Sequence, residues 1–99
     1  MKKLLLCVTY KAKHGMREEF IKEISSSGLL ETIRKEDGCI EYEYCYSVLD
    51  EDKILLVEQW ESEEKQQAHV MQPHMDRLRA LKEKYIYDTK LEKAFSADN

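Results

Sequence analysis

Residues 39–61 read CIEYEYCYSVLDEDKILLVEQWE, and this stretch decides the fold. Its first part alternates: Ile40, Tyr42, Tyr44 and Tyr46 share one side, and Glu41, Glu43 and Cys45 share the other. A period of two carried by aromatic and β-branched residues predicts a half-covered strand over 39–47. VLDEDK (48–53) is a polar turn, and ILLVEQWE (54–61) is apolar on both sides at its start, which calls for cover on both faces. Two such runs joined by a short acidic connection predict an antiparallel hairpin.

The flanking sequence completes the pattern. KKLLLCVTYK (2–11) is rich in strand formers and reads as a first strand. From KHGMREEF onward, Met16, Phe20 and Ile24 recur at i, i+4 and i+8, and Leu30 and Ile33 continue the stripe, so a helix follows. SSSG (25–28) lowers helix propensity in its middle and predicts a kink or break, while Gly38 in EDG suits a left-handed helix end. After the hairpin, Ser62 is an N-cap with Glu63 and Glu64 in the first turn, where the helix dipole favours negative charge. Pro73 reads as the first residue of another helix with Met75, Leu78, Leu81 and Tyr85 as its buried stripe. YIYDTKLEKAF (85–95) reads as a fourth strand and SADN (96–99) as a disordered tail.

The order β-α-β-β-α-β places the chain in the α+β class, with a ferredoxin-like four-stranded antiparallel sheet over residues 1–95. Helices then cover one sheet face only. The apolar second face of the third strand needs a partner, and a second copy of the sheet, a homodimer, is the simplest one.

The formal net charge is −4, without a basic stripe to neutralise phosphates, which argues against nucleic-acid and anionic-membrane partners. The apolar run after Lys2 and Lys3 is too short for a membrane span and lacks a cleavage site. Three cysteines, Cys7, Cys39 and Cys45, with no CxxC, read as small core residues in a reducing cytoplasm, Cys45 being the weakest case. With three glycines there is no phosphate-cradling loop, and His14, His69 and His74 have no metal-ligand spacing.

What remains for chemistry is the segment around Trp60. His69 follows it on the next helix, and imidazole is the side chain that exchanges protons near neutral pH. It is open to two readings: a proton acceptor from an acidic phenol or enol, or a partly buried histidine bonded to a carbonyl. Trp60 is a core residue able to wall a pocket for a flat ligand. Glu58 shares its strand parity and, if covered, is a buried carboxylate in need of a partner. Tyr42 and Tyr44 belong to the aromatic ladder of the second strand. His74, just after Pro73, reads as surface or as a second pocket donor, with surface preferred.

EQWES (58–62) followed by AH (68–69) and PHM (73–75), with KEDGCIEYE (35–43) and the Gly15 turn, resembles the antibiotic biosynthesis monooxygenase family, especially its small bacterial quinol monooxygenases. The resemblance covers the first strand to about residue 82. It implies a dimeric α+β barrel of two face-to-face sheets. It also implies oxidation of a quinol-like or polycyclic aromatic by O2 with no cofactor and no metal, because a deprotonated hydroquinone or anthrone itself donates electrons to O2. Carried over, the matching pocket positions are Trp60 and His69, with Glu58 beside them. His69 is then the catalytic proton acceptor, and Tyr42, Tyr44 and His74 join Trp60 and Glu58 as candidate substrate contacts from the residue reading itself. Two alternatives stay open on the same fold: a sugar-phosphate isomerase of the autoinducer type, and a small-ligand-binding dimer without turnover. The family's haem-degrading branch uses an Asn on the first strand; here the only Asn is Asn99.

Overall fold

The structure, a computed structural model, describes residues 2–97. Four strands, β1 (Leu4–Ala12), β2 (Cys39–Tyr46), β3 (Lys53–Trp60) and β4 (Ile86–Phe95), form one antiparallel sheet in the order β2-β3-β1-β4. The helices α1 (Arg17–Ser26) and α2 (Leu29–Arg34) connect β1 to β2, and α3 (Glu63–Val70) and α4 (Met75–Tyr85) connect β3 to β4. This is the ferredoxin-like arrangement. Among the described residues no helix is long and apolar enough to cross a membrane.

The break expected at SSSG occurs at Gly28, whose φ of +80° ends one helix and starts the next, with the Ser27 hydroxyl accepting from Leu29 N–H at 3.2 Å. Strand parity sorts the core. Leu4, Leu6, Val8 and Tyr10 of β1 and Ile54, Leu56 and Trp60 of β3 point under the helices, where Phe20, Ile24, Ile33 and Leu78 meet them. Each such side chain taken fully from water contributes about 1.5–3 kcal/mol.

Four expectations need correction. A β-bulge between Cys39 and Glu41 takes Ile40 out of the alternation and leaves it 45% exposed, so Tyr42 faces Glu58 in register without help from Ile40. Pro73 lies in the turn before α4, which begins at Met75, and Tyr85 ends α4 instead of opening β4. Cys7 and Cys45 do not join the core: their parity puts them opposite Val57 and Leu55 on the uncovered sheet face, and only Cys39 packs against the core. In the expected tail, Ser96 N–H donates to Lys3 O at 3.0 Å, while residues 98–99 lie outside the described residues.

Leu5, Cys7, Thr9, Leu55, Val57 and Gln59 form the face that carries no helix, and all are half-buried. A shallow cleft of about 300 Å³ opens there, lined by Leu5, Cys7, Val57, Gln59, Glu92 and Ala94.

Candidate functional site

The site is built at the end of β3. Trp60, its last residue, is fully buried opposite Leu4, and its Nε1–H donates to Glu58 Oε1 at 2.9 Å. Glu58 is only 6% exposed. Burial pushes its carboxyl above the ordinary value, while the Trp60 hydrogen bond and the nearby His69 and Lys82 pull it down. Ser62 then caps α3 by accepting from Lys65 N–H at 3.2 Å. Two turns on, His69 is the buried residue of a helix that is otherwise polar. Its ring lies 4.6 Å from that of Trp60, tilted by 33°, and 5.6 Å from the edge-on ring of Tyr42.

The polar partner of His69 comes from a residue that sequence reasoning missed. Glu36, in the turn after α2, accepts from His69 Nδ1–H at 2.8 Å and from His74 Nε2–H at 2.9 Å, both at Oε2. The approach depends on Gly38, whose φ is +86° and whose missing Cβ would lie 2.5 Å from Cβ and Cγ of Lys65 on α3. Only a glycine lets this turn press so closely against α3. Lys65 itself pairs with Asp37. His74 is thus not a free surface residue: three-quarters of its side chain is covered, and it reaches the site through Glu36. The EDG sequence signalled a turn, but nothing along the chain signalled that its carboxylate would meet a histidine 33 residues on.

A second group lies further in. Tyr42 and Tyr44 from β2 are joined by Tyr10 from β1, with ring separations of 6.0 Å for Tyr42–Tyr44 and 6.2 Å for Tyr10–Tyr44. Burial pushes all three phenols well above their usual range, so they are neutral donors. The Tyr44 hydroxyl is buried with no hydrogen-bond partner among the described residues. Lys82 of α4 stands 4.9 Å over the Tyr10 ring, and burial lowers its ammonium from the ordinary value while Glu58 opposes that. Tyr10 was visible in principle, since it shares parity with Leu4, Leu6 and Val8. Lys82 was not, because helical charge usually reads as a solvated face. Tyr46 turns away and lies under Arg17, 3.9 Å from the guanidinium.

His69, Trp60, Glu58, Tyr42 and Tyr44 therefore converge between sheet and helices. A pocket of about 220 Å³ opens on the outer side of His69, lined by Glu36, Asp37, Lys65, Ala68 and Gln72 besides. His14 is elsewhere, at the opposite end of β3. There its Nδ1–H donates to Asp52 at 3.0 Å, and its ligand atom, with those of Glu51 and Asp52, falls within a 4.8 Å group.

A family profile described as antibiotic biosynthesis monooxygenase matches residues 4–81, from the start of β1 to the second turn of α4. The chain belongs to this family. The match spans Glu36, Glu58, Trp60, His69 and His74 together. Compared with curated proteins, the chain has no significant match. Among solved structures it is similar to a Pseudomonas aeruginosa protein at 22% identity, with a TM-score of 0.85 over 99% of this chain and 97% of that one. A conserved Bacteroides thetaiotaomicron protein of unknown function, suggested to be an oxidoreductase, is 25% identical, with a TM-score of 0.83 over 96% and 98% of the two chains. A candidate antibiotic biosynthesis monooxygenase from Chloroflexus aurantiacus is 21% identical, with a TM-score of 0.80 over 98% and 95%. At these identities the Pseudomonas and Chloroflexus likenesses are likenesses of fold.

Proposed function

We propose that this member of the antibiotic biosynthesis monooxygenase family is a cofactor-independent monooxygenase that oxidises a quinol-like or polycyclic aromatic molecule with O2. The observation that carries the reading is His69: sealed at 3% exposure, lying on Trp60, its Nδ1 held by Glu36. The free Nε2 takes the proton of an acidic phenol or enol. The resulting anion is the electron donor to O2. For an anthrone-type CH2 carbon, one oxygen atom enters as the carbonyl, the other leaves as water with the two hydrogens, and the substrate supplies all the electrons. Trp60 and Tyr42 wall the flat ring, and the hydroxyl of Tyr44 donates to an anionic oxygen. Excluding water keeps these interactions strong.

The bare sheet face is the seat of a second copy, giving a homodimer closed as an α+β barrel. Its half-buried Leu5, Leu55 and Val57 are apolar groups that another such face would cover. A sugar-phosphate isomerase would need cations gathered for a phosphate. Around His69 the charged groups include Glu36, Glu58 and Asp37; Lys65 is already paired with Asp37, and Lys82 faces Glu58 and the Tyr10 ring, so the cations present are matched to carboxylates and not gathered for a phosphate. A dimer that binds an aromatic without turnover is the remaining reading.

The test is oxygen uptake by metal-stripped protein with reduced quinols and anthrones, corrected for autoxidation, with His69→Ala alongside. Uptake above background that falls about 10²-fold or more in the variant, the scale of a positioned general base, is the expected result. Uptake that His69→Ala retains removes His69 as the base. No uptake with any compound leaves ligand binding as the function.

A further inference from the structure

We propose that Glu36 and His74 act as one positioning unit that locks His69 in the Nδ1–H tautomer, leaving Nε2 as its unprotonated nitrogen. This inference rests on the reading of His69 as a base, and it gives Glu36 and His74 a positioning role.

The argument begins with donor and acceptor chemistry. A carboxylate oxygen only accepts, so each ring nitrogen facing Glu36 carries a hydrogen. His69 Nδ1 lies 2.8 Å from Oε2 and 3.1 Å from Oε1, spanning the carboxylate. A neutral imidazole has one N–H, so placing it at Nδ1 leaves Nε2 unprotonated. Among the described residues Nε2 has no hydrogen-bond partner of its own. A base must present a lone pair, and the opposite tautomer would present an N–H to the substrate.

The clamp needs its third member because a carboxylate on a turn is free to rotate towards water. His74 prevents this. Its Nε2–H reaches the same oxygen at 2.9 Å from the start of α4. Side-chain exposure rises from 3% at His69 to 11% at Glu36 and 25% at His74, so the three form a line from the sealed interior to solvent. Two donors from different elements hold the carboxylate, and the carboxylate holds the base. The line does not conduct protons outward. Both histidines donate into Glu36, so the hydrogen bonds converge on it instead of running in one direction.

Two measurements on the intact protein test this. Long-range ¹⁵N–¹H correlation spectra of the histidine rings report the tautomer whether or not any substrate is found. The expected wild-type result is Nδ1–H at His69 and Nε2–H at His74. Glu36→Met, which keeps length but removes both acceptor oxygens, brings an Nε2–H form of His69 into the spectrum. Glu36→Gln, which keeps one acceptor oxygen, preserves the Nδ1–H form. In oxygen-uptake kinetics, Glu36→Met lowers kcat by about 10²-fold with KM within about twofold, and Glu36→Gln recovers part of it. His74→Leu loses activity and His74→Gln, whose amide nitrogen stands where Nε2 stood, restores it. An Nε2–H tautomer for His69 in the wild type, or an unchanged tautomer in Glu36→Met, overturns the proposal. The expected tautomers with no oxygen uptake from any compound leave the clamp standing and refute the monooxygenase reading alone.

Discussion

Replacing Trp60 with Phe should cost more stability at pH 7 than at pH 4, because the lost indole N–H is a donor to a buried carboxylate. Glu58 is 6% exposed, and the 2.9 Å bond from Trp60 Nε1 is its side-chain hydrogen bond among the described residues. A hydrogen bond to a charged group contributes about 1.5–3 kcal/mol net, against about 1 kcal/mol for a neutral pair. The smaller ring also leaves a partial cavity costing about 1–2 kcal/mol at either pH. Burial, the largest influence on Glu58, raises its carboxyl above the ordinary 4.5. A raised carboxyl favours the protonated folded state, so its stabilisation is complete below 4.5 and is lost as pH rises through the folded value. Trp60 limits that loss by lowering the value, and Phe cannot. At pH 4 Glu58 is protonated when folded and the substitution costs the cavity plus a neutral bond. Where Glu58 ionises as pH rises, the cost is about 0.5–2 kcal/mol greater. Urea denaturation followed by circular dichroism at both pH values, at one protein concentration, measures the difference. Adding Glu58→Gln should abolish the pH dependence. Equal costs at pH 4 and pH 7 would refute the assignment of Trp60 as the partner of an ionised Glu58.

The two left-handed turns give a contrast. Gly28→Ala, with nothing within 4 Å of the new Cβ, should cost about 1–2 kcal/mol for conformation alone, whereas Gly38→Ala adds a collision with Lys65 and should lower the urea midpoint clearly further. Arg17 Nη1 donates to the carbonyls of Ser47, Asp50 and Lys53, so Arg17→Ala should speed amide hydrogen exchange across the β2–β3 turn while leaving β1 protected. Removing the α3 cap with Ser62→Ala should cost about 1 kcal/mol in thermal or urea unfolding. Val57→Lys puts a charge on the bare sheet face, and light scattering after size exclusion should report a monomer; an intact dimer would place the interface elsewhere.

The alternation in β2, the two apolar sides of β3 and the helical stripes on either side of the hairpin are local periodicities, and they carried the ferredoxin-like order without any structure. The breaks at Gly28 and Gly38 and the cap at Ser62 were legible for the same reason: each depends on the conformational preference of one residue and its close neighbours. Trp60, Glu58 and Tyr42 followed from parity, since a strand sends every second side chain to one face. What failed was less local in cause. The bulge at Ile40 and the outward Cys7 are set by register and by which face receives helices. Glu36 lay beyond any such reading. Its meeting with His69 and His74 joins three segments through hydrogen bonds whose geometry depends on how a glycine turn seats against a helix. Tyr10 and Lys82 belong with it, one from the central strand and one from the last helix. The sequence by itself therefore determined the elements and the parity that puts Trp60 and Glu58 on one strand face, because those follow from short-range periodicity. Which carboxylate orients the histidine was decided only by tertiary packing, because contact between distant segments is a property of the assembled layers.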